Sequence, residues 1–128
     1  MNLSETSLQQ RHDRGLARLT EVDGEAGTAV VEALRDIAPD LAGYIIGFGF
    51  GEIYSRPGLT LKEREIATLG ALTALGALPQ LKVHIRAALH VGLTRDEIIE
   101  VLIQMALYAG FPAALNGVFA AKEVFQVE

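Results

Sequence analysis

Glu65 and His84 are ionisable residues set in apolar sequence. They lie in the stretch Gly58 to Ala88, GLTLKEREIATLGALTALGALPQLKVHIRAA, which reads as two apolar helices joined by a tight turn. A histidine in such a setting can be tuned to exchange protons near neutral pH. The bland alternative for a lone helix histidine is a half-exposed surface residue, although Leu81, Ala87, Ala88 and Val91 put an apolar face beside this one. Glu65, flanked by Arg64, Ile66 and Ala67, would by itself be a solvated glutamate, favoured near a helix start by the dipole.

Spacing limits how the two can pair. Glu65 lies about 16 Å before the turn at Gly76, and His84 about 8 Å beyond Pro79, at 1.5 Å per residue. In an antiparallel hairpin the two are offset by roughly 8 Å along the axis. A bridging water therefore fits better than a direct hydrogen bond.

Other polar candidates are less isolated. Gln104 and Tyr108 are four apart and share one face of a later helix, with Asn116 on the next. Among apolar neighbours they read either as buried polar groups that satisfy one another or as the polar lining of an apolar pocket. Arg56 precedes a Pro-Gly turn, where a fixed guanidinium could clamp a carboxylate. His12 and His90 read as surface residues. No histidines or carboxylates recur at a ligand spacing within an apolar shell, so no metal site is expected. No phosphate loop or nucleophile elbow is present. The absence of cysteine removes disulfides, thiolate metal sites and thiol redox chemistry.

The elements that must position these residues are helices. With 128 residues the chain is most simply one domain, and half of it is hydrophobic and rich in Ala, Leu, Ile and Gly, as close-packed helices require. The formal charge of −5 without a basic block argues against nucleic acid. The polar opening MNLSETSLQQRHDR is no signal peptide, and a soluble cytoplasmic protein is expected. Val101 to Ala121 is uncharged and long enough to span a bilayer, but Gly110 followed by Pro112 reads as one helix ending and another starting. So much apolar surface on a small chain points to an obligate homo-oligomer.

In order, helices are expected at Leu3 to Val22, Thr28 to Ile37 and Leu41 to Tyr54, the last weakened by its glycines. A fourth starts after Thr60, which with Glu63 forms a capping box, and ends at Gly76. A fifth runs from Pro79 to Gly92, a sixth from the second box Thr94/Glu97 to Gly110, and a seventh from Pro112 to about Phe125. The fold class is thus all-α: a single-domain bundle of about six to seven helices spanning 1–128. N-terminal helices occupy 1–40, and a core at 58–125 is built on a repeated helical hairpin. Gly58-Leu59-Thr60 recurs as Gly92-Leu93-Thr94, Gly76 as Gly110, Pro79 as Pro112 and Ala87-Ala88 as Ala120-Ala121, at offsets of 34, 34, 33 and 33 residues. His84 falls opposite Gly117, so the hairpin itself does not call for a histidine.

The runs FGEIYSRPGL, LTALG with LKVHIRAAL, and EIIEVLIQMALYAGFPAALNG resemble the carboxymuconolactone decarboxylase family, which shares an all-helical fold with the alkylhydroperoxidase D proteins. The resemblance runs from Phe48 to Phe125. It implies a trimer or hexamer with sites near subunit interfaces. The peroxidase branch carries a Glu, a Cys-x-x-Cys and a His four residues on. Glu65 and His84 match the outer positions, while Ala77 and Gln80 replace the cysteines, which disfavours thiol peroxidase activity. The decarboxylase branch shares the Arg56-Pro57-Gly58 turn, His84 and the Tyr108 to Asn116 run. It commonly has a small residue at the position of Glu65 and often a His at that of Gln104. The resemblance implies a cofactor-free decarboxylase, or a related lyase or isomerase, acting on a carboxylated lactone or ring compound. His84 would be the proton donor with Glu65 beside it, and Arg56, Gln104, Tyr108 and Asn116 would contact the substrate. The alternative is a non-catalytic oligomeric binding protein on the same scaffold.

Overall fold

The computed structural model of the chain describes residues 7–127. Among them the fold is all-α, with seven α-helices, one π-helical segment and no strand. The contacts gather into two compact units, Met1–Thr60 and Leu61–Glu128.

In the first unit, α1 (Leu8–Asp23) opens on a capping box. The Ser7 hydroxyl accepts from the Gln10 amide at 3.1 Å, and the Gln10 side chain accepts from the Ser7 amide at 2.8 Å. Each bond satisfies an amide that the helix start leaves unpaired. The sequence places this helix from Leu3, of which residues 3–6 lie outside the described residues. Gly24 ends α1 and at once precedes α2 (Glu25–Leu34), which therefore starts three residues earlier than the sequence suggests. Gly27 acts here as a packing residue, since a side chain on it would press on Leu19.

After Pro39 the expected third helix divides. α3 (Pro39–Tyr44) is followed by a π-helical segment, Ile45–Ile53, in which the chain bonds five residues back, as from the Tyr54 amide to the Gly49 carbonyl at 2.9 Å. π-helix is rare in runs of this length. The three glycines of IIGFGFG lower the local α preference and leave tertiary packing to decide the turn. That packing is a backbone approach to α1: a Cβ on Gly15 would collide with the Ile46 carbonyl, and one on Gly51 with the Arg11 carbonyl. Side chains satisfy the carbonyls at the segment's end. Ser55 Oγ donates to Phe50 O at 2.7 Å and Arg14 Nε to Gly51 O at 2.6 Å. Arg11 Nε pairs with Glu52 at 3.0 Å. Val22, Ala42, Ile46 and Phe50 are buried.

The second unit is the hairpin and its repeat: α4 (Leu61–Leu75) with α5 (Leu78–His90), and α6 (Arg95–Ala109) with α7 (Phe111–Val127). At the first turn Gly76 adopts φ 69°. The Gly76 amide donates to Thr73 O and the Ala77 amide to Leu72 O, a Schellman closure that an L side chain would strain. The Thr94/Glu97 box at the start of α6 is present, with the Thr94 amide donating to Glu97 Oε1 at 2.8 Å and the Glu97 amide to Thr94 Oγ1 at 3.0 Å. Hydrogen bonds to the carboxyl, first from the Thr94 backbone amide and then from the Thr94 side chain, hold Glu97 below its ordinary value of 4.5. Leu69, Leu81, Ile85, Ile98, Leu102 and Val124 form the core of this unit. The repeat is unequal where it matters. Gly117, opposite His84, lets α7 close on α4, since a Cβ there would sit 3.1 Å from Thr73 Cγ2.

Candidate functional site

The inner face of α4 carries Glu65, Leu69 and Thr73 at four-residue spacing, all buried. Two of them are polar, and each is satisfied differently. Thr73 Oγ1 donates back to Leu69 O at 2.7 Å. Glu65, with no solvent exposure, instead meets α5. His84 Nδ1 stands 3.0 Å from Glu65 Oε2 and 3.2 Å from Oε1. The His84 side chain is 19% exposed, so the carboxylate is the inner member of the pair and the imidazole the outer.

This arrangement corrects two expectations. Glu65 is not a solvated helix glutamate, and no water is needed between it and His84. Counting rise along the axes treats the helices as parallel and gives side chains no length. The contact at 3.0 Å lies within what the reach of the Glu and His side chains and any inclination of packed helices add. A buried carboxylate is costly unless hydrogen-bonded, and the imidazole meets that requirement here. With the carboxylate ionised, Nδ1 carries the proton and donates to it. The bond through Nδ1 fixes the ring in orientation.

Gln104, Tyr108 and Asn116 are exposed, which overturns their reading as buried polar groups. The apolar neighbours that prompted it, Ile103, Leu107, Phe111 and Leu115, are exposed as well. Gln104 borders an apolar groove of about 400 Å³ with Ala67, Gly70, Val101 and Met105, and Tyr108 is 75% exposed. Arg56 is exposed in the turn that follows the π-helical segment, its amide donating to Ile53 O at 3.2 Å. Of the histidines expected at the surface, His90 is exposed but His12 is half-buried and lines a cleft in the first unit. Sequence reasoning missed that cleft, although Asp40, Tyr44, Phe48 and Glu52 recur at four-residue spacing along it.

The chain belongs to the carboxymuconolactone decarboxylase family, whose model matches residues 39–123. It is 40% identical over 119 residues to the 4-carboxymuconolactone decarboxylase of Acinetobacter baylyi, across 92% of this chain and 89% of that one. It is 35% identical over 100 residues to an uncharacterised 15.0 kDa protein of Paracoccus denitrificans, across 77% of this chain and 75% of that one. A nitrosuccinic acid decarboxylase of Metarhizium robertsii is 32% identical over 79 residues, across 62% of this chain and 55% of that one.

Proposed function

We propose that the protein is a cofactor-free decarboxylase of a carboxylated lactone or ring compound, with His84 as proton donor and Glu65 as the residue that positions it. The observation that carries this reading is the direct bond from a fully buried carboxylate to the inner nitrogen of a partly exposed imidazole. Two relatives whose names specify decarboxylation support it.

The chemistry asks little of the protein. In a lactone whose ring alkene is conjugated to the lactone carbonyl, loss of CO2 sends the bonding electron pair through the alkene to the carbonyl oxygen, giving a dienolate. The substrate is its own electron sink. The protein must hold the carboxylates, stabilise the oxyanion and return one proton to carbon. In this scheme protonated His84 delivers its Nε2 proton while Nδ1 stays bonded to Glu65. Arg56 holds a substrate carboxylate, and Gln104, Tyr108 and Asn116 supply polar contacts to the substrate. Glu65 and Gln104 depart from the residues common in the decarboxylase branch, so a substrate other than carboxymuconolactone belongs in the test.

The same reading includes a homo-oligomer, trimer or hexamer. Large apolar side chains of α6 and α7, Ile103, Leu107, Tyr108, Phe111, Leu115 and Phe119, are exposed, a face of the kind that association buries. The experiment is carbon dioxide release across a panel of carboxylated lactones and unsaturated ring acids. Turnover of at least one is expected. Binding without turnover across the panel would replace the decarboxylase by the binding-protein reading.

A further inference from the structure

The first unit holds a cleft of about 420 Å³, within the range of small-molecule sites, and the proposed decarboxylation uses none of its residues. One wall comes from α3 and the π-helical segment. Asp40, Tyr44, Phe48 and Glu52 follow one another at four-residue spacing, with Gly43 and Gly47 between them. The rings of Tyr44 and Phe48 are 68% and 60% exposed, so they are not consumed by the core. Side chains built on Gly43 and Gly47 would meet nothing within 4 Å, so these glycines leave an open floor beside the rings. The facing wall is α1, with Leu8, Arg11 and His12.

The charges set the ligand class. The cleft holds two carboxylates and one guanidinium, and Arg11 Nε is already paired with Glu52 at 3.0 Å. Leaving His12 aside, one negative charge is in excess, that of Asp40, four residues before Tyr44 on the same wall. Aromatic faces beside a carboxylate attract organic cations and disfavour anions of the same size. We propose that this cleft binds an organic ammonium ion with an apolar or aromatic body. The cation lies between Asp40 and the Tyr44 ring, and the body lies over Gly43 and Gly47 against Phe48.

The test uses the intact protein and benzyltrimethylammonium, with benzoate as the anion of similar size, followed by amide NMR shifts and calorimetry. The expected result is saturable binding of the cation with shifts at Gly43 and Gly47 and no saturable binding of benzoate. Asp40→Asn, on the surface of the fold, should weaken the cation about tenfold, as should Phe48→Ala, by loss of a charge or ring contact. His84→Gln should bind it as the parent does, which keeps this outcome separate from that of the decarboxylase reading. Equal binding of benzoate, an unchanged affinity in Asp40→Asn, or weakening by His84→Gln in place of Asp40→Asn would each overturn the proposal. So would failure of the cation to bind together with a fall in oligomer mass on Phe48→Ala, since another copy of the chain would then occupy the cleft.

Discussion

Removing the Glu65 side chain while His84 stays leaves an apolar gap in α4 and takes away the ring's partner. Glu65→Ala should therefore destabilise the fold by about 2–4 kcal/mol, the sum of a buried truncation and a lost charged hydrogen bond. Glu65→Gln keeps shape and one acceptor oxygen and should cost less. Denaturant unfolding measures both, and equal stability of Glu65→Ala and the parent would mean that the pair contributes nothing to folding. The types of these two residues, and their apolar setting, were legible in the sequence. Their contact was not, because a count of axial rise leaves out side-chain reach and any inclination of the helices. The reading of Gln104, Tyr108 and Asn116 as buried polar groups failed for a related reason. Apolar neighbours signal burial only if they are themselves buried, and Leu107 and Phe111 are exposed.

Among elements, the most legible were those closed by local bonds. Thr94 and Glu97 announce the start of α6 because both partners of the box lie within four residues. Its pH dependence follows from the lowered carboxyl of Glu97. A carboxyl lower in the folded state than in the unfolded one contributes stability above its unfolded value. That contribution is lost as pH falls through the folded value. Glu97→Gln should therefore be less stable than the parent near neutral pH, with the difference closing as pH drops below about 4.5; a constant difference across that window would contradict the assignment. The π-helical segment was not legible, because its turn is decided by α1, over thirty residues away in sequence, as in the Arg14 to Gly51 bond. Gly51→Ala should cost about 2 kcal/mol or more, since backbone meets backbone there and neither side can yield. Gly49→Ala, with nothing within 4 Å of the added carbon, should be neutral or stabilise by about 0.5–1 kcal/mol. Thermal unfolding of the two variants compares them directly, and equal losses would remove the glycine contact as the reason for the π-turn.

At the scale of the molecule, the all-helical class and the repeated hairpin could be read from capping residues and turn glycines alone. The uncharged stretch from Val101 was read correctly as two helices, and none among the described residues is long and apolar enough to cross a membrane. Its exposed side chains lead to a further prediction. Light scattering at micromolar concentration should give three or six times the chain mass of 13.7 kDa, and Leu107→Glu with Phe111→Glu should lower it. A monomeric parent would contradict the assembly. The activity of the assembled protein bears most directly on the central claim, that the Glu65–His84 pair moves a proton. The measurement is kcat for carbon dioxide release by His84→Gln against the parent, on the carboxylated substrate the parent turns over best, with fold and mass checked in both. The variant should fold and assemble normally, with kcat lower by about 10²–10⁴, the size of a lost general acid. Near-parent turnover would contradict the claim, and so would a variant that fails to assemble, which would make His84 a packing residue.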